Sequence, residues 1–151
     1  MKKYELTDET IEVYGTALHR IKALKDFGNV KKGELGGYVE SERNLSQEGN
    51  CWVYDNARVY SNAKVFGNAE VCGNAEVFGN ADYITIKGLG SKYRNTTIFR
   101  TKENIAVKCG CFYGTLAEFV DKVKETHGNS KFAKEYLALI DLVKIHFELE
   151  E

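Results

Sequence analysis

Apolar and polar positions follow three different periods along the chain. Near the amino terminus, Thr10-Ile11-Glu12-Val13-Tyr14 and Ala17 to Leu24 bracket Gly15-Thr16, which predicts a β-hairpin. Phe27 to Gly37 holds four glycines and reads as a loop. From Gly37 to Ile84 the chain divides into hexads without an insertion, the clearest being VYDNAR, VYSNAK, VFGNAE, VCGNAE and VFGNAD from Val53 onward. A period of six fits neither a helix nor a strand; it fits a coil in which each hexad supplies one short side and one corner.

Three hexads per coil set an 18-residue stacking distance, so the eight hexads of residues 37–84 make about two and two-thirds coils. The column Val53, Val59, Val65, Val71 and Val77 is expected to point inward, each valine contributing about 1.5–3 kcal/mol. Ala57, Ala63, Ala69, Ala75 and Ala81 fill the corners, with Val39, Leu45 and Cys51 in the same column of the earlier, degenerate hexads. The asparagines before each alanine suit a left-handed corner conformation. The spacing also sets Arg58 over Glu76 and Lys64 over Asp82. Tyr54, Tyr60, Phe66 and Phe78 then point outward, where the terminal segments or another subunit would cover them.

After the repeat, Thr96 to Thr101 and Ile105 to Cys111 read as two strands joined around Glu103-Asn104. Thr115-Leu116-Ala117-Glu118 is a capping box opening a helix whose Leu116, Phe119, Val120 and Val123 share a face, with Gly128 as its stop. Ser130 caps a second helix striped by Phe132, Tyr136, Leu139, Ile140, Val143 and Phe147. The expected fold is therefore mainly β with an α tail: a short β-helix of hexads, an N-terminal β-hairpin, and a C-terminal β-hairpin plus helical hairpin. Its parts are 1–36 (hairpin and loop), 37–87 (repeat) and 88–151 (basic loop, two strands, helical hairpin), forming one compact unit.

With 151 residues, 43% of them hydrophobic and 28% charged, the chain is long enough for a core without metal or disulfides. The amino terminus has no signal-peptide pattern, no apolar run is long enough for a membrane helix, and four cysteines without an export signal read as reduced thiols. A net charge of −1 argues against bulk nucleic-acid binding. That near-neutral total hides one basic segment, because residues 88–108 carry Lys92, Arg94, Arg100, Lys102 and Lys108 against Glu103 alone.

That segment opens with Gly88-Leu89-Gly90-Ser91-Lys92-Tyr93-Arg94-Asn95-Thr96-Thr97, which has the glycines, hydroxyls and guanidinium that grip phosphate. It matches no Walker or dinucleotide-binding motif, and a solvated linker is the competing reading. The candidate ligand-binding residues are Ser91, Lys92, Tyr93, Arg94, Thr96, Thr97, Arg100 and His127, with Tyr93 or a coil aromatic stacking a base. His127, beside Gly128, also reads as a helix-end histidine. Cys109-Gly110-Cys111 places two thiols on one strand face; their spacing fits no standard zinc site, and the expectation is buried structural thiols. No metal, cofactor or catalytic residue is assigned, and no histidine falls in the hexads.

The hexads resemble the left-handed β-helix of hexapeptide-repeat proteins. The flanks Leu18-His19-Arg20-Ile21-Lys22-Ala23-Leu24, Leu35-Gly36-Gly37-Tyr38 and Cys109-Gly110-Cys111-Phe112-Tyr113-Gly114-Thr115 are similar to small phage and prophage members. The resemblance implies either a trimeric acyltransferase that uses coenzyme A and a catalytic histidine, or a small oligomeric phage protein that sequesters a nucleotide immune signal. The sequence reading leans to the second: a non-catalytic homo-oligomer, trimer favoured over dimer, in the cytoplasm of a bacterial host, binding a small anionic nucleotide-like molecule. A hexapeptide acyltransferase, a nucleotide-degrading enzyme and a scaffold for a host protein are the alternatives.

Overall fold

The computed structural model describes residues 1–149. In chain order the strands are β1 (Tyr4–Val13), β2 (Thr16–Ala23), β3 (Leu35–Val39), β4 (Trp52–Val53), β5 (Arg58–Val59), β6 (Glu70–Val71), β7 (Glu76–Val77), β8 (Tyr83–Leu89), β9 (Arg94–Arg100), β10 (Ile105–Cys109) and β11 (Phe112–Thr115). Helices α1 (Leu116–His127) and α2 (Lys131–His146) follow. The fold is mainly β with two helices at its carboxy-terminal end, and its sheets stay open. Strands β3 and β8 each run across one of the boundaries drawn at 36/37 and 87/88.

The hexads stack in parallel rows. Arg58-Val59 pairs with Glu76-Val77, and Trp52-Val53 with Glu70-Val71, both at the 18-residue distance. The first coil is longer. Val39 pairs with Val59 and Leu45 bridges Val65, each 20 residues apart. Val39 and Leu45 thus enter the valine rows rather than the alanine column, and the unbroken hexad frame fails before Val53. The extra residues lie in the corner before Cys51, where the Lys3 amino group donates to the carbonyls of Glu48, Gly49 and Cys51. The outer residues of this corner, Glu48 to Asn50, are exposed, but the Cys51 carbonyl beneath them is buried and needs such a donor.

The inward valines are fully buried, as are Ala57, Ala63, Ala69 and Ala75, whereas Ala81 is exposed where the last corner becomes a short 3-10 turn at Asn80–Asp82. The left-handed corner residues are not the asparagines. They are the residues just before them, Asp55, Ser61, Gly67 and Gly73, at φ of 57°, 57°, 69° and 62°. Two of the asparagine side chains serve as acceptors instead: Asn80 Oδ1 takes the Lys64 N–H at 2.9 Å and Asn56 Oδ1 the Arg20 guanidinium at 3.0 Å. Arg58 meets Glu76 at 3.5 Å as expected, but Asp82 turns from Lys64 to Arg100, 3.1 Å away, because the coil ends there.

Both ends of the coil are covered by the chain itself. Tyr4, Ile21, Val30 and Trp52 close one end. The antiparallel sheet β8-β9-β10-β11 closes the other, with Phe99 and Ala106 joining the valine core on one face. On its opposite face Ile98, Ile105, Val107 and Cys109 pack against α1 and α2. Residue alternation along β9 and β10 thus serves two cores at once. Unpaired coil ends consequently give no reason for assembly here. Of the outward aromatics, Tyr54 and Tyr60 are half-buried, while Phe66 and Phe78 remain exposed.

Candidate functional site

Gly88 to Thr97 is the tip of the β8–β9 hairpin rather than a solvated linker. Gly88, Gly90 and Tyr93 turn the chain at φ of 110°, 80° and 54°. Gly90 lies so close to α2 that a Cβ would strike the Tyr136 hydroxyl, and its N–H donates to Glu135 Oε1 at 3.0 Å. These contacts fix the tip over the end of the helical hairpin.

Docking leaves an open cavity of about 280 Å³. The hairpin tip contributes Ser91, Lys92 and Arg94, and α1 contributes Lys122, Thr126 and His127 from across the mouth. Phe112, Phe119, Val123 and Tyr136 form an apolar floor. Three cations therefore face the cavity, and among the described residues no carboxylate lines it. Arg94 makes no ion pair among the described residues; its guanidinium lies against Gly110, at φ 58°, where a Cβ would occupy its place. Lys122 has only an exposed contact with Glu125 at 3.9 Å, a geometry worth little in water. Such an arrangement draws an anion to the mouth and an apolar group to the floor.

The His127 ring stacks on Tyr136 with centroids 5.9 Å apart and also meets Phe132 at 5.7 Å. It both closes the helical hairpin and borders the cavity. Burial, then the Cys109 thiol, holds the Tyr136 hydroxyl above the usual phenol range, so it stays protonated and donates to the Leu89 carbonyl at 3.2 Å.

The remaining sequence candidates go elsewhere. Thr96 and Thr97 are fully buried: Thr96 Oγ1 donates to Cys109 Sγ at 3.3 Å, and Thr97 Oγ1 accepts the Glu70 N–H at 3.0 Å. Tyr93 is 69% exposed and does not line the cavity. Arg100 belongs to the far end of the sheet, paired with Asp82 and lying over the Phe147 ring at 5.2 Å. The structure thus brings together Ser91, Lys92, Arg94 and His127 and separates the other four.

Cys109 and Cys111 do not share a strand face, since the chain turns at Gly110; Cys109 is buried and Cys111 exposed, and both reach the cavity. Among the described residues, no three His, Cys, Asp or Glu side chains gather to hold a metal. His19 bonds the Thr7 carbonyl and His146 the Ala81 carbonyl, so neither enters the cavity. Lys122, Thr126 and Phe112 were missed by the sequence reading. The only available signal was the helical spacing that sets Lys122 and Thr126 beside Phe119 and Val123.

Among the described residues no helix is long and apolar enough to cross a membrane. No protein-family model matches the chain. Over 63 residues it is 41% identical to YdcK of Escherichia coli (strain K12), described as an uncharacterized acetyltransferase. That match takes in 36% of this chain and 19% of the other protein, so the similarity is to a part of a much longer relative.

Proposed function

We propose that the protein is a non-catalytic binding protein for a small, anionic, nucleotide-like molecule. The observation that carries this reading is the meeting of Lys92, Arg94 and Lys122 over an apolar floor in one cavity, with no lining carboxylate among the described residues. Among the described residues Lys92 and Arg94 form no ion pair and Lys122 has only the weak, exposed contact with Glu125, so all three can bond phosphate oxygens, the guanidinium bidentately. The role that fits is sequestration of a nucleotide immune signal by a phage-type sponge, acting in the bacterial cytoplasm as a homo-oligomer, with a trimer favoured. Sequestration at nanomolar strength requires about −12 kcal/mol, which charged contacts in several subunits would supply together. Parallel rows at 18- and 20-residue spacing support reading the repeat as a short left-handed β-helix.

The second reading is an acetyltransferase, favoured by the partial match to YdcK and by the hexapeptide-repeat resemblance. In that case His127, the one histidine at the cavity, is the candidate base. One experiment separates the readings. The purified protein is incubated with cyclic oligonucleotides, ADP-ribose derivatives and acyl-CoA, re-isolated and heated, and the released molecules are weighed by mass spectrometry. An intact anionic nucleotide in stoichiometric amount supports sequestration. A chemically altered one, with turnover lost in His127→Ala, overturns it in favour of an enzyme, and an empty protein overturns it in favour of a protein partner.

A further inference from the structure

Resting on the binding reading above, we infer that the cavity takes one phosphoryl group joined to one aromatic ring, the scale of a nucleoside monophosphate, and excludes cyclic oligonucleotides. Its volume of about 280 Å³ lies just below the usual range of ligand cavities, about 300–1,000 Å³.

The lining is divided in the same proportion. Lys92, Arg94 and Lys122 lie at the mouth on two different elements, the β8–β9 hairpin and α1, so they can close on a single phosphoryl group from both sides. One aromatic ring of the floor is not fully buried. Phe119 and Tyr136 are buried and packed edge-to-face with centroids 5.4 Å apart, whereas Phe112, tilted against Phe119 at 5.3 Å, is only half-buried. A single base stacked on Phe112 therefore uses the aromatic surface that remains. Arg94 and Lys122 set the specificity for the phosphoryl end, and Phe112 for the ring.

The test is calorimetric titration of the full chain with adenosine 5′-monophosphate, adenosine, inorganic phosphate and a cyclic diadenylate. The monophosphate is expected to bind at least about tenfold more tightly than adenosine or phosphate alone, the worth of one charged hydrogen bond. Lys122→Ala, an exposed substitution that leaves the fold unchanged, is expected to lower affinity for the monophosphate about tenfold while leaving adenosine binding as it was. Phe112→Leu is expected to weaken adenosine and monophosphate alike, with the melting temperature measured alongside. Tighter binding of the cyclic diadenylate overturns this inference but leaves the binding reading standing. Equal affinity of the monophosphate and inorganic phosphate also overturns it, since the floor then takes no ring. If none of the four binds, both fall.

Discussion

Lys3 is 1% exposed, yet its ammonium is satisfied by three carbonyls of the enlarged first corner. Removing one partner of a buried charged hydrogen bond leaves its acceptors unpaired, so Lys3→Met is expected to cost about 1–3 kcal/mol in urea unfolding. An unchanged midpoint would show that the corner is held by its backbone alone. Cys72, inside the repeat, supplies a pH test. Burial, followed by the nearby Asp55 charge, pushes its thiol up to about 12 from an ordinary 9.0. The folded state thus holds this proton more tightly than the unfolded one, and the associated stability is present below pH 9 and lost as pH rises towards 12. Cys72→Ala is expected to flatten that loss in denaturation curves taken between pH 9 and 11; an identical slope would contradict the burial of the thiol. Neither residue was singled out in the sequence. A lysine near the terminus looks like a solvated charge, and a cysteine in a valine-aromatic hexad looks like any small hydrophobe until its neighbours are known.

At the level of elements, the helices were the most legible, because their caps are local. Thr115 Oγ1 accepts the Glu118 N–H at 3.2 Å and Glu118 Oε1 accepts the Thr115 N–H at 2.8 Å, as the motif requires. Thr115→Ala is expected to cost about 0.5–2 kcal/mol by chemical denaturation, since it frees a donor at the first turn; no loss would mean that the helix is held by packing alone. The hexad rows were equally readable from Val53, where side-chain period and backbone pairing coincide. Before Val53 the longer first coil was hidden, because a shift of two residues preserves the in-and-out alternation along a strand. Strand β8 escaped notice for a related reason: Ile84 continues the hexad count while its backbone has already left the coil to pair with Ile98. Strand β11 is only four residues long and shares its Gly-rich stretch with a turn.

Across the whole molecule, the coil, the four-stranded sheet and the helical hairpin form successive layers, with the sheet contributing to the cores on both sides. Of the candidate site, Ser91, Lys92 and Arg94 were visible as a compact run of anion-binding residue types, and His127 as a candidate on the first helix. Lys122 and Thr126 of α1 were not, since they lie more than twenty residues beyond Arg94 and nothing in local sequence joins Lys122 to Arg94. Conversely Thr96, Thr97 and Arg100, equally suitable by residue type, are committed to the sheet and to Asp82. Distance along the chain says little about which groups converge. The most direct test of the binding claim is to repeat the ligand-capture experiment with wild type and Arg94→Ala side by side, recording melting temperatures for both. An exposed guanidinium without an internal ion pair is expected to leave the melting temperature almost unchanged while retention of the anionic ligand falls at least about tenfold. Equal retention by the two proteins would contradict the assignment of this cavity as the binding site.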